Sequence, residues 1–178
     1  MSDRSIYLFA TELEATPFRN LRADAECFVV GVGMAAAAAA TARLIAQLHP
    51  RRIVLCGIAG ACDEQLQVGD VVSVVRDSVV ALPKPFRREY ASAPVEGITP
   101  VGAYTVNATG ESLPLLAEDN SLPMVEQMEG AAVAAVAEAF GVEYYHLRAI
   151  SNRVSDERSM WRVGQAVEAL AQCAAKIL

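Results

Sequence analysis

Positive charge is in short supply: 15 Lys and Arg stand against 21 Asp and Glu, for a net charge of −6. Proteins that bind nucleic acid gain affinity by setting clustered cations on phosphates, so this balance argues against a nucleic-acid partner. Long apolar runs are lacking too. The stretch from Ala35 to Ala40 is too short to span a bilayer, and the N-terminus has no basic segment leading into an apolar one, which predicts a soluble chain with no membrane partner. Cysteine is limited to Cys27, Cys56, Cys62 and Cys173, with no C-x-x-C pair and three of the four inside apolar runs. Buried free thiols in a reducing cytoplasm are the expectation, rather than disulfides or a zinc site. The two histidines, His49 and His146, have no partner at metal-ligand spacing, and no Ser-His-acid or Cys-His arrangement is visible. Neither a metal nor an organic cofactor is expected.

Apolar residues make up 53% of the 178 positions, enough for one buried core and too few positions for two ordinary domains, so residues 1–178 are expected to form a single domain. Residues 6–10 and 27–32 read as strands, the second ending in Gly31-Val-Gly33 before a helix from about Met34 to Leu48 that Pro50 closes. Residues 52–57, continuing through Gly60, and residues 71–75 read as further strands, and residues 81–100, with four prolines, as a loop. Strand 103–106, helix 128–140 capped by Gly141, strand 142–150 and an amphipathic helix from Trp161 to Leu178 complete the chain. Alternating strands and helices predict an α/β fold: a three-layer, mixed, mostly parallel sheet flanked by helices. In open sheets of this kind ligands gather at the carboxyl ends of strands, which directs attention to residues 11–14, 31–34, 58–60, 106–107 and 151–152.

Each of these places has an ordinary reading beside a chemical one. Gly31 and Gly33 supply a turn of positive φ or approach a ligand. Glu12 and Glu14 are two solvated carboxylates, or one of them faces a pocket, since alternation along a continued strand would send them to opposite sides. Glu129 opens an almost uncharged helix, where a favourable charge at the positive helix end and a group that binds hydroxyls would look alike. Ser151 and Asn152 form a turn or present polar groups to a ligand, and His146 is either a hydrogen-bonded core residue or part of the site.

Six segments occur in one order: Ala10-Thr-Glu-Leu-Glu14, Val30-Gly-Val-Gly-Met34, Gly57-Ile-Ala-Gly60, Val68-Gly-Asp-Val-Val72, Met128-Glu-Gly-Ala-Ala132 and Arg148-Ala-Ile-Ser-Asn152. The series resembles the nucleoside phosphorylases and nucleosidases, and within that superfamily the futalosine hydrolase branch, which serves the alternative menaquinone pathway. Methylthioadenosine/S-adenosylhomocysteine nucleosidases look like more distant relatives. The resemblance implies a nucleoside phosphorylase-like fold, a small-molecule nucleoside as partner, and a homo-oligomer, with a dimer favoured.

It also implies roles. Cleavage of an N-glycosidic bond passes through a sugar with oxocarbenium character, and three kinds of help are needed. Glu14 matches the glutamate that deprotonates water, with Arg148 helping to hold that glutamate or the water. Glu129 matches the acid that accepts from the 2′ and 3′ hydroxyls, and Met128 would lie under the ribose. Asn152 stands where the adenine-specific nucleosidases have an aspartate. Its amide can donate to a 6-keto oxygen and accept from a protonated N7, a pattern that suits hypoxanthine or guanine. Ile58, Ala59, Val106, Asn107 and Ser151 complete the substrate-binding set. Glu14, with apolar Ile58-Ala59 where phosphorylases place phosphate-binding groups, points to water as the nucleophile. The chain is shorter than typical members between Val80 and Gln127, where loops would complete the 5′ pocket, so another purine nucleosidase or nucleoside phosphorylase, or a catalytically silent nucleoside-binding member, stays open beside futalosine hydrolysis.

Overall fold

The structure, a computed structural model, describes residues 4–116 and 121–177. Strand β1 (Ser5–Phe9) is short and almost wholly buried, and β2 (Glu26–Val29) lies parallel to it. Between them the chain forms helix α1 (Glu12–Leu21) instead of continuing as a strand. The reason is local: Thr11 accepts from the backbone N–H of Glu14 while the Glu14 carboxylate accepts from the N–H of Thr11, a reciprocal cap that outweighs the interior Pro17. Glu12 and Glu14 therefore differ in direction by helical geometry rather than strand alternation; Glu12 is exposed and Glu14 buried.

Helix α2 (Met34–Leu48) has the expected bounds, with His49 in the left-handed region as its C-cap. Then follow β3 (Arg52–Ala61), β4 (Val71–Val79), β5 (Tyr90–Ala91), β6 (Thr99–Thr105), β7 (Met124–Gln127), α3 (Gly130–Phe140), β8 (Glu143–Arg153) and α4 (Val163–Ala174). Several details depart from the sequence expectation, among them that the helix read from Met128 begins at Gly130 and the strand read as 142–150 runs on to Arg153. Residues 81–100 are not all loop, because β5 pairs with β4 and β6 starts at Thr99. Strand β7 has too few residues to announce itself by periodicity. The closing helix is regular only to Ala174, and Leu178 lies outside the described residues.

The sheet is mixed. Pairs β1–β2, β1–β3, β3–β8, β4–β6 and β6–β7 run parallel, whereas β3–β7, β4–β5 and β4–β8 run antiparallel. The sheet is also not simply open. Pairing runs from β3 to β7, β6, β4 and β8 and returns to β3, so five strands close a circuit, with β1 and β2 as a flap on its edge. Long β8 makes this possible, pairing β3 along its length and β4 through Leu147, Arg148 and Ala149. A register shift at Ala59/Gly60 bends β3 where it turns toward β7. Small and β-branched side chains from all five strands, among them Ala59, Val72, Val101, Val125 and Ile150, pack together within the circuit.

Helices cover both outer faces. Phe18 of α1 and Leu170 of α4 pack with Tyr7, Phe9, Val54 and Leu147 on one side, and Leu44 of α2 and Val133 of α3 with Ile6, Leu8, Ile53 and Leu55 on the other. Burying a side chain such as Phe18 contributes about 1.5–3 kcal/mol. The layers hold the ends of β1, β3 and β8 side by side, and the site forms there.

Candidate active site

A cavity of about 210 Å³ opens at these strand ends. Among the residues chosen from sequence, Glu14, Ile58, Ala59, Val106, Met128, Glu129, Arg148, Ser151 and Asn152 all line it. Asn107 does not: it is exposed, and its backbone N–H donates to Glu111 Oε2 at 2.9 Å, which turns the chain away. Its neighbour Val106 remains in the wall because Val106 N pairs with Gln127 O at 2.9 Å.

Glu14 is 5% exposed. Its Oε2 accepts from Thr11 N at 3.0 Å and Thr11 Oγ1 at 2.8 Å, and its Oε1 accepts from Ile58 N at 3.1 Å. The carboxylate is thus aimed by the cap of α1 and by β3 together. Gly57 lets Arg148 reach the same place, since a Cβ there would overlap Arg148 Nη1 and stand 3.2 Å from Glu14 Oε1.

Arg148 is the largest fully buried side chain. It donates from Nε to His146 Nε2 at 2.7 Å, from Nη1 to Ile58 O at 3.1 Å, and from Nη2 to Gln127 Oε1 at 3.0 Å and Glu129 Oε2 at 3.1 Å. Its ion pair is therefore with Glu129; of the two partners the resemblance offered it, Glu14 or the water, it makes no bond to Glu14. A guanidinium so placed offsets the desolvation of two nearby carboxylates, which would otherwise be costly.

Glu129 stands at the positive end of α3 and at the cavity alike. Although it precedes α3, its side chain makes no capping bond. Gln127 Oε1 accepts from Glu129 N at 2.8 Å and Gly130 N at 2.6 Å, and Thr105 Oγ1 accepts from Ala131 N at 2.9 Å. With the helix end satisfied by others, the Glu129 carboxylate lies at the cavity, held by Gly33 N at 3.0 Å as well as by Arg148. This gives Gly33, at φ 86°, a role beyond the turn: its N–H reaches a carboxylate of the site.

Asn152 Oδ1 accepts from Ser151 Oγ at 2.7 Å, and Nδ2 donates to Arg153 O at 2.7 Å. Each amide end keeps capacity for a second partner. Gly60 makes room for it, as a Cβ there would come within 3.1 Å of Asn152 Nδ2.

Sequence reasoning missed several wall residues. Thr11 was detectable from the Thr-x-x-Glu pattern. Gln127 carries no such signal, whereas Leu13 and Val32 fall within the strand ends 11–14 and 31–34 but have no polar group to single them out. Trp161 and Arg158 also line the cavity, with the guanidinium 4.0 Å from the centre of the indole ring. Only the return of that segment beside β8, where Arg162 N donates to Ser151 O at 2.8 Å, places Trp161 here. His146 is core: fully buried, its Nε2 accepts from Arg148 while Nδ1 has no hydrogen-bond partner. Burial, and then the Arg148 charge, push its pKa well below the usual imidazole value. All four cysteines are free; Cys56 is buried and the other three half-buried. The described residues contain no His, Cys, Asp or Glu cluster suited to a metal and no helix long and apolar enough to cross a membrane.

Comparison with known proteins fits this geometry. The profile of the Phosphorylase superfamily matches residues 23–97 and 95–178. A futalosine hydrolase of Streptomyces coelicolor is 32% identical over 186 aligned residues, covering 85% of this chain and 77% of that protein. Among solved structures, a mutant of Helicobacter pylori futalosine hydrolase superposes with a TM-score of 0.85 at 16% identity, covering 98% of both chains. The 5′-methylthioadenosine/S-adenosylhomocysteine nucleosidase of Neisseria meningitidis, in complex with methylthio-immucillin-A, gives 0.85 at 17% with the same coverage. At such identities the two structures speak for the fold alone.

Proposed function

Because the chain belongs to the phosphorylase superfamily, we propose that it hydrolyses the N-glycosidic bond of a 6-oxopurine nucleoside, with futalosine, giving hypoxanthine and dehypoxanthinyl futalosine, as its substrate. The observation that carries this reading is the convergence of Glu14, Glu129, Arg148 and Asn152 on one cavity. Water approaches the anomeric carbon from the Glu14 side and gives its proton to that carboxylate. As the bond from that carbon to N9 breaks, its electron pair leaves with the base and positive charge grows on the ribose. Glu129 accepts from the ribose hydroxyls, and its anionic charge stabilises the oxocarbenium character. Met128 packs under the sugar.

A proton drawn from bulk water reaches N7 as the base departs, and Glu14 later returns the proton it took to bulk water, so that nucleoside and water yield free base and free sugar. Asn152 Oδ1, with one lone pair already turned to Ser151, accepts from that N7–H, and the second hydrogen of Nδ2 donates to the 6-keto oxygen. A 6-amino group would set a donor against that hydrogen, a mismatch that costs orders of magnitude in kcat/KM. Water is favoured over phosphate because the cation at the centre, Arg148, is already committed to four acceptors, while Ile58-Ala59 adds an apolar wall and the Ile58 N–H is used by Glu14. No cofactor is needed for these steps.

The protein is proposed to work in the cytoplasm as a homo-oligomer, with a dimer favoured. Leu13 and Val32, both lining the cavity, are 63% and 55% exposed, and a second copy would cover them. Light scattering should then give twice the 19.0 kDa chain mass; a value equal to the chain mass counts against it.

The deciding experiment measures base release by chromatography from futalosine, inosine and methylthioadenosine, each with and without phosphate. Phosphate-independent hypoxanthine from futalosine supports the proposal in full. Release from inosine alone changes the substrate, and release of adenine from methylthioadenosine at a similar rate removes the role of Asn152.

A further inference from the structure

Behind the cavity wall lies a further buried carboxylate, which glycosidic cleavage as drawn above does not use. Asp77 of β4 is 3% exposed. Its Oδ1 accepts from Thr105 Oγ1 at 2.8 Å and its Oδ2 from Gln127 Nε2 at 2.8 Å, while His146 Nδ1 stands 4.0 Å from Oδ2. The directions of these bonds follow from counting hydrogens. Thr105 Oγ1 already accepts from Gln127 Nε2 at 2.6 Å and from Ala131 N at 2.9 Å, so its one hydrogen goes to Asp77. Gln127 Oε1 accepts from Glu129 N, Gly130 N and Arg148 Nη2, so its amide nitrogen must face Asp77 and Thr105. His146 Nε2 accepts from Arg148 Nε, which puts the imidazole hydrogen on Nδ1, the atom nearest Asp77 and lacking any other partner.

We infer that Asp77 is a positioning residue for the site: as an acceptor on both oxygens it fixes the Gln127 amide, and Gln127 in turn aims Arg148, whose Nε rests on His146. Every group that faces it is a donor or is held by one. They are the Ser78 N–H on β4 itself, Thr105 on β6, Gln127 on β7, Tyr144, His146 and Arg148 on β8, and the start of α3, where Glu129 is held by Arg148. Space is as constrained as direction, because a Cβ on Gly130 would overlap Asp77 Oδ2 and His146 Cε1. A proton on either oxygen of Asp77 would meet the hydrogen of a donor. Burial pushes the Asp77 pKa up to about 7, against the lowering effects of Thr105 and Arg148, so this proton competes near neutrality. Loss of the carboxylate charge then frees Gln127 to turn and loosens Arg148.

The kinetic half of the test rests on the cleavage reading; the other half does not. The kcat/KM of the wild type and of Asp77→Asn is measured from about pH 5.5 to about pH 8.5, across the value near which Asp77 titrates. The variant is a permanent stand-in for the protonated acid. It should be roughly 10²-fold slower at the alkaline end and approach the wild type at the acid end. A ratio independent of pH overturns the inference, since a merely structural loss would be constant.

Should Asp77→Asn fail to fold, the pH dependence of the wild-type Arg148 signal decides. The readout that needs no substrate is the Arg148 Nε–H signal in nitrogen-15 NMR, identified by its disappearance in Arg148→Lys. It should exchange slowly with water above neutrality and broaden as pH falls, or in Asp77→Asn at any pH. If the wild type cleaves no nucleoside, the proposed function falls while this signal still tests the positioning; an Arg148 signal unmoved by pH or by Asp77→Asn overturns the latter.

Discussion

Glu14 holds two jobs on one side chain, and they separate by substitution. Its carboxylate is the proposed base, and it is also the third helical residue of α1, reciprocally capped with Thr11 and bonded to Ile58 N. Glu14→Gln keeps most of the shape and should lower kcat by about 10²–10⁴ with a small change in stability, read by hypoxanthine release and urea unfolding on the same preparation. Glu14→Ala should lose a similar or larger factor in kcat and, in addition, about 0.5–2 kcal/mol of stability through the lost cap. Near-normal turnover by both would remove Glu14 from its role. At Gly57, alanine would put a methyl where Arg148 Nη1 lies. This should cost about 1–3 kcal/mol in strain and at least tenfold in kcat/KM; unaltered kinetics would mean that the guanidinium can move without consequence.

Elements carry the site only where their ends are satisfied. Helix α1 hid in the sequence because Pro17 and a mixture of charges blurred its period, yet its cap was plainly spelled by Thr11 and Glu14. Helix α3 was legible from its small apolar run and Gly141, but not the means by which its start is held. That depends on Gln127 from β7 and Thr105 from β6, residues brought there by strand pairing. The segment 107–116 beside the cavity is held in a comparable way. Glu126, itself 6% exposed, accepts from Gly110 N at 2.7 Å, Ser112 N at 2.9 Å and Ser112 Oγ at 2.6 Å. Glu126→Gln turns one acceptor into a donor facing N–H groups and should release this segment. KM for the nucleoside should rise several-fold, with kcat changed less, because Glu126 touches no reacting atom in the proposed chemistry. Steady-state kinetics check this, and a fall in kcat at constant KM would refute it.

The whole molecule must bury charge to make this site, and its stability should record that in pH. The pKa of Asp77 is raised to about 7 by burial, so between about 4 and 7 the folded protein binds more protons there than the unfolded chain, and stability falls as pH rises through that window. His146 is shifted the other way. Kept neutral by burial and by Arg148, it binds fewer protons folded than unfolded, and stability falls as pH drops below the usual imidazole value. The two slopes oppose each other on the acid side. Asp77→Asn removes one of them, so its unfolding free energy should climb more steeply than that of the wild type between about pH 5 and about pH 6.5. Urea unfolding at three pH values measures the slopes; parallel lines would mean that Asp77 does not titrate in the fold.

Composition and order of residues by themselves determined an acidic, apolar-rich α/β chain, the bounds of α2, the positions of most strands, and the strand ends where nine of the ten chosen side chains meet. They did so because period, glycine turns and strand-end polar residues are local signals. Tertiary structure alone decided the rest. The sheet closes through β7 and β8 because the long β8 reaches two partners, and pairing between strands far apart in sequence leaves no local trace. Asn107 leaves the cavity because its backbone turns toward Glu111. Arg148 chooses Glu129 over Glu14, and Asp77 stands behind both Gln127 and His146, because hydrogen-bond direction in a water-poor interior is settled by which donors and acceptors the packed strands bring face to face.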